Sequence, residues 1–477
     1  MAIHDLQHED ETLQHLFRAL PSVNEVLLIP TCRSLLDAHP RGAVLRAARE
    51  TLAVMRSEIS AGLHSGSSLK QSVALLPEEI ANRLTASARY SLRSVINATG
   101  VILHTNLGRA PLSGAALRHV VEVAQDYCNL EFDLENGLRS RRDSHVESLF
   151  LRTLGVPAAD SHRHGVIIVN NCAAATMLTL NSLAEKSEVV VSRGELVEIG
   201  GGFRIPEILE KSGAILKEVG TTNRTRLADY ESALGPRTGL LLRVHQSNFS
   251  IEGFTERPSL QELVELSKRV GIPLFEDQGT GLMSSLERFG ISGEPSLLQS
   301  FESGVDVIAA SGDKLLGGPQ CGILVGKYDL IDRIRKNPLL RALRVDKLTY
   351  AALEGTLLEH LSEETSSIPV ERMLSVAPED LMRRCREVAE HINSSQLAFD
   401  IVPVASLVGG GTAPKATLQS CAISLRHTSL PAVELLSRLR KLEPPIIGRI
   451  SDDTVLLDLR TVPPDFDEEL ASLLTSL

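Results

Sequence analysis

Apolar residues recur at helical spacing through the first ninety residues. The runs at 13–28 (LQHLFRALPSVNEVLL) and 43–59 (AVLRAARETLAVMRSEI) both show it. Pro21-Ser22 predicts a helix start, and His39-Pro40-Arg41-Gly42 predicts a break. Residues 60–68 (SAGLHSGSS) read as a loop, followed by a helix over 77–93. From about residue 96 to 330 the period changes. Short apolar runs at 166–169, 189–191, 215–219, 239–244, 274–275, 305–310 and 322–325 read as strands. Helical segments such as 173–184 and 260–270 separate them. This alternation predicts an α/β fold, with a mainly parallel sheet covered on both faces and ligands outside the carboxyl ends of its strands. A helical connector at 350–361 then leads to a smaller α+β region, with strands near 422–425 and 455–457. Gly409-Gly410-Gly411 reads as a turn there, since no strand–glycine–helix context frames it as a phosphate loop. Three domains follow: helical over 1–90, an α/β core over 91–340, and α+β over 341–477. That number suits a chain of 477 residues.

Composition narrows the class. The 43% apolar and 23% charged content is that of an ordinary globular protein. The formal net charge of -11 argues against a chain that is basic throughout, and leaves room for a local nucleic-acid surface. Residues 1–93 carry ten Lys/Arg and ten Asp/Glu, so the whole acidic excess lies in the remainder. From charge alone the helical region is a solvated surface. The six cysteines are dispersed, with no CxxC, which predicts reduced thiols and neither a disulfide framework nor a metal site. With no secretory signal and no apolar run of ~18 residues, the expected location is cytoplasmic, with no membrane partner.

The chemistry collects at strand ends. The stretch 306–322 (DVIAASGDKLLGGPQCG) sets Lys314 just after a strand, among small residues. There an amine loses part of its water shell, its pKa falls, and it becomes a nucleophile or Schiff-base partner, as a pyridoxal phosphate (PLP) enzyme requires. An ordinary lysine in a glycine-rich turn is the plainer alternative. Asn171-Cys172-Ala173 follow another strand and open a small-residue helix, whose N-terminus suits a phosphate or simply packs closely. Asp277, thirty-seven residues before Lys314, either pairs with a protonated pyridine nitrogen or caps the next segment. His245 follows a third strand, to contact a ring or substrate or to sit in a solvated turn. Ser311 is placed to reach a phosphate.

Upstream, residues 97–112 (NATGVILHTNLGRAPL) resemble the opening of the catalytic core of the bacterial L-seryl-tRNA(Sec) selenium transferases. The runs 198–206 (EIGGGFRIP), 220–225 (GTTNRT), 276–281 (EDQGTG), 311–319 (SGDKLLGGP) and 341–347 (RALRVDK) match the same family. Cys321 departs from it, where a smaller residue such as alanine is expected. The resemblance covers nearly the whole chain.

That resemblance implies a fold-type-I PLP-dependent transferase. It would convert seryl-tRNA(Sec) to selenocysteinyl-tRNA(Sec) by β-elimination to an aminoacrylyl intermediate and addition of selenium from selenophosphate. Lys314 would hold PLP and is a candidate base at Cα, and Asp277 would hold the pyridinium. Asp313 would orient Lys314, or only cap a turn. Arg109, Arg341 and Arg344 are the candidates for selenophosphate. The last two are three apart and share a face if their segment is helical; without the resemblance they read as a solvated surface. The helical N-terminal domain would bind the tRNA, by shape and backbone more than by base sequence. No DNA partner is expected. The family's assembly implies a homo-oligomer, dimers arranged in a ring, and Thr221, Thr222 and Arg224 are candidates for a neighbouring subunit's site. The competing readings are a PLP lyase or aldolase-type enzyme for a small substrate, which is expected to lack residues 1–90, and a non-enzymatic tRNA-binding protein, against which intact Lys314 and Asp277 argue.

Overall fold

All seven apolar runs of the central region form strands of one sheet. The computed structural model describes residues 14–199, 202–362, 365–414 and 416–477. Residues 1–13 of the predicted helical domain, and Gly200 and Gly201 of the 198–206 run, lie outside the described residues. In chain order the strands are β1 (His164–Val169), β2 (Glu188–Ser192), β3 (Ile215–Val219), β4 (Thr238–Val244), β5 (Leu274–Asp277), β6 (Val307–Ser311) and β7 (Gly322–Lys327). Their order across the sheet is β1-β7-β6-β5-β4-β2-β3. All neighbours are parallel except β7, which runs antiparallel to both β1 and β6.

The continuous apolar runs are explained by burial on both faces. Successive side chains of a strand point to opposite sides. Ile168, Val190, Leu241, Leu274 and Ile308 enter one core; Ile167, Val191, Leu242, Phe275 and Ala309 enter the other. The Cys172–Ala184 helix covers the second face and the Leu260–Val270 helix the first. Because β1, β4, β5 and β6 run the same way, Asn171, His245, Asp277 and Ser311 all arrive at one edge of the sheet.

A second sheet of five strands runs Arg449–Ser451, Thr454–Asp458, Thr417–His427, Leu397–Gly409 and Val101–Leu103. Its outermost member corrects the predicted boundary at residue 91. Val101–Leu103 pairs in parallel with Leu397–Gly409, and Ile96–Asn97 pairs with Ile446–Ile447. Ile96 and Ala98 pack among Leu425, Leu435 and Leu457 of the smaller core. The boundary at 340 also moves. Tyr350, Leu353 and Leu357 of the Lys347–Leu361 helix belong to the core of the seven-stranded sheet. Residues 95–477 form one compact unit.

Residues 1–94 form the other unit, helical throughout its described part. Ser22 and Glu25 close a capping box at the Val23–Leu28 helix, and the Pro30–Ala38 and Arg41–Ser60 helices meet at the predicted break. The last helix differs from the prediction. It spans Gly66–Ala88, with Pro77 inside it, because Ser65 caps it early and Leu69, Leu76, Ile80 and Leu84 supply a buried stripe. Among the described residues, no helix is long and apolar enough to cross a membrane.

Candidate active site

Lys314 leaves the end of β6 through a turn that only small residues permit. A Cβ on Gly312 would stand 2.6 Å from the Pro319 carbonyl, and one on Gly281 would stand 2.2 Å from that of Ser311. The side chain is 6% exposed. Its Nζ donates to the Gly411 carbonyl at 3.3 Å, so the triglycine turn of the smaller sheet forms one wall around the amine. Burial pushes the Lys314 pKa below its ordinary value, and the Arg109 guanidinium pushes the same way; the carboxylates of Asp277 and Asp313 oppose them.

Asp277 ends β5 and is buried opposite the lysine. Thr176 donates its hydroxyl to Oδ2 at 2.8 Å, and the Cys172 thiol donates to Oδ1 at 3.4 Å. Burial raises the Asp277 pKa, and those two hydrogen bonds act against the rise. Cys172 is itself pushed up by burial and by Asp277, which keeps its proton in place for that bond. Asn171 caps the helix by accepting from the Ala174 N–H at 2.8 Å, which leaves the amides of Cys172 and Ala173 directed outward from the helix start. Gly322 of β7 lets this turn close, since a Cβ there would stand 2.1 Å from the Asn171 carbonyl.

Arg109 completes the set. It holds φ 64°, a left-handed conformation, and its Nη1 donates to Asp313 Oδ2 at 2.6 Å. The pair joins the run at 97–112 to the residue beside Lys314. His245 turns Nε2 to Glu294 Oε1 at 2.9 Å, with both side chains largely buried.

One cavity of about 440 Å³ is lined by Lys314, Asp313, Asp277, Arg109, His245 and Ser311, together with Asn171, Cys172 and Ala173. Nine of the eleven residues that the sequence offers for catalysis or cofactor binding therefore meet there. Arg341 and Arg344 do not. The helix that carries Arg341 spans only Leu339–Leu343, and Arg344 follows in extended conformation, so the two do not share a helical face. Arg341 is exposed, and Arg344 lies 3.4 Å from Glu131 in a separate pocket. Sequence reading missed Thr176, Gly411 and Glu294. Thr176 had a signal, for it lies one helical turn after Cys172 and so shares its face.

This donor set fits PLP. A buried amine of lowered pKa faces a buried carboxylate, outward amides stand at a helix start, and glycines keep the space open. A Cβ on Gly411 would come within 3.0 Å of Lys314 Nζ. The lowered amine pKa gives a direct prediction. In the apoprotein, uptake of PLP by Lys314 will accelerate with pH through a midpoint below 10.5, the ordinary lysine value. Arg109→Ala removes a cation and will move that midpoint upward. Stopped-flow absorbance over a pH series measures both, and a wild-type midpoint at or above the ordinary value would contradict the burial argument.

A family model described as L-seryl-tRNA selenium transferase matches residues 95–463, and one described as selenocysteine synthase N terminal matches residues 17–56. The chain is 45% identical over 466 residues to an L-seryl-tRNA(Sec) selenium transferase of Moorella thermoacetica, covering 97% of each chain. It is 41% identical over 467 residues to the protein of that name from Aquifex aeolicus, covering 98% of this chain and 99% of the other. Among solved structures, a D-glucosaminate-6-phosphate ammonia-lyase superposes with a TM-score of 0.55 at 20% identity, over 81% of this chain and 95% of that one. The last likeness concerns the fold alone.

Proposed function

The chain belongs to the L-seryl-tRNA selenium transferase family, and from that premise we infer how the residues around Lys314 carry out the family's reaction. The protein is a fold-type-I PLP enzyme that converts seryl-tRNA(Sec) to selenocysteinyl-tRNA(Sec). The observation that supports the assignment of roles is the meeting of Lys314, Asp277 and Arg109 in one cavity.

When bound, PLP supplies a conjugated electron sink next to the amino acid's Cα. Lys314 holds it through Nζ. The same Nζ would accept the proton from the seryl Cα, a task that its lowered pKa suits. Asp277, its two oxygens fixed by Thr176 and Cys172, would keep a proton on the ring nitrogen. The outward amides of Cys172 and Ala173 and the hydroxyl of Ser311 take the phosphate. His245, steadied by Glu294, borders the same cavity.

Selenophosphate is the selenium donor in this reading, and Arg109, oriented by Asp313, receives it. Arg341 and Arg344 lie away from their own chain's cavity, so they serve a neighbouring subunit's site within a homo-oligomer, dimers assembled into a ring. The helical unit of residues 1–94 grips the tRNA. An enzyme acting on a tRNA belongs in the cytoplasm.

Purified protein loaded with PLP will form selenocysteinyl-tRNA(Sec) from seryl-tRNA(Sec) and selenophosphate. Arg109→Ala will raise the KM for selenophosphate about tenfold or more, the cost of losing a charge-assisted hydrogen bond. Absence of product would overturn the reading; an unchanged KM would remove Arg109 from the donor site.

A further inference from the structure

Beside the Lys314 cavity lies a larger one, of about 870 Å³, and the two share His245. Its wall comes from segments that follow three strands at the same edge of the sheet. Gly194 follows β2, Thr222 and Asn223 follow β3, and Gln246 and Phe249 follow β4. Gly194 is what lets these segments close together, since a Cβ there would stand 2.6 Å from the Thr222 carbonyl. Gln246 is held in one orientation, because its Nε2 donates to the Gly194 carbonyl at 2.7 Å; its Oε1 is left as an acceptor. Phe249 is half-buried and contributes an aromatic ring to the wall.

The chemistry of the substrate says what must lie here. The serine is esterified to the last ribose of the RNA. When the amino acid reaches Lys314, the terminal nucleoside is only a few bonds away and needs a space of its own. Single-stranded RNA ends are held by stacking on aromatic side chains and by hydrogen bonds to base edges. The larger cavity offers both, within the volume range of small-molecule sites. A third cavity, of about 470 Å³, also reaches His245, but no Phe, Tyr or Trp lines it. Charge points the same way. The larger cavity is lined by the carboxylates Glu195, Glu256 and Glu294 against the guanidiniums Arg224 and Arg257, and Arg224 is already paired with Glu256. That balance disfavours a run of phosphates and suits the hydroxyls and amine of a nucleoside.

We propose that this cavity holds the 3′-terminal adenosine of seryl-tRNA, its base stacked on Phe249 and its exocyclic amine donating to Oε1 of Gln246. The proposal rests on the seryl-tRNA reading above and adds where the RNA end sits.

The probe is adenosine carrying serine as a 3′-amide, titrated calorimetrically into the PLP-loaded protein. Phe249→Leu keeps apolar packing but removes the stacking face, and is expected to weaken binding about tenfold or more. Phe249→Tyr is expected to bind as the wild type does, which separates stacking from a folding defect. The hypoxanthine analogue of the probe lacks the amine; it will bind the wild type more weakly than the adenine probe, and the two will bind Gln246→Leu alike. Equal affinity of wild type and Phe249→Leu, or no preference of the wild type for adenine, would overturn the proposal. Turnover of seryl-tRNA(Sec) by the same wild-type preparation would then leave the family reading standing. Loss of that turnover as well would overturn both.

Discussion

Lys314→Ala is expected to lose the near-visible absorbance of lysine-bound PLP and to slow selenocysteinyl-tRNA formation by about 10²–10⁴-fold or more. The size follows from two tasks resting on one atom. In our reading Nζ holds the cofactor and also receives the Cα proton. Both tasks need a neutral amine, which burial favours at this position. The substitution does not favour unfolding, because removing a buried amine relieves a desolvation cost. Its one hydrogen bond, to the Gly411 carbonyl at 3.3 Å, is long. Two measurements separate the tasks. Absorbance reports the anchor. Rescue of turnover in the PLP-loaded variant by small primary amines, rising with amine basicity, reports the base. An unchanged spectrum would remove Lys314 from the site. A lost band without amine rescue would leave Lys314 as anchor only.

How far the sequence reached depended on the range of the interactions. Strands buried on both faces carry their own signal, as the run at 189–191 does within Glu188–Ser192, and the Leu260–Val270 helix falls where the apolar pattern puts it. The carboxyl-edge rule then gathers Lys314, Asp277, Asn171, His245 and Ser311 from sequence alone. What stayed hidden was non-local. Nothing in residues 96–103 announces that Val101 will pair with Leu407, more than three hundred residues later. The same sheet brings Gly411 to Lys314, so a turn read as structural became a wall of the site. Thr176 and Glu294 are ordinary residues until the fold sets them against Asp277 and His245. Arg341 and Arg344 do not share a helical face for a local reason: their helix is five residues long and ends before the second arginine.

Removing residues 1–94 is expected to leave PLP binding intact and to weaken tRNA binding by about 10²–10⁴-fold, as when one of two linked binding modules is lost. The first half follows from packing. Leu52, Ile59, Leu76 and Ile80 are fully buried within the helical unit's own core, while every residue lining the Lys314 cavity lies at or beyond Thr105. A cut after Ser94 also spares the pairing of Ile96–Asn97 with Ile446–Ile447 and of Val101–Leu103 with Leu397–Gly409. The second half follows from the substrate. A cavity of nucleoside size takes only the aminoacyl end, and the body of the tRNA needs a separate surface. The helical unit is the segment with no share in the acidic excess, so it repels phosphate least. The truncated protein should therefore raise the KM for seryl-tRNA(Sec) far more than it lowers kcat at saturation, because the RNA end still meets an intact site. Filter binding across a salt series measures the lost contacts as a shallower dependence of log Kd on log salt. Unchanged affinity and salt slope after the deletion would place the tRNA-binding surface within residues 95–477.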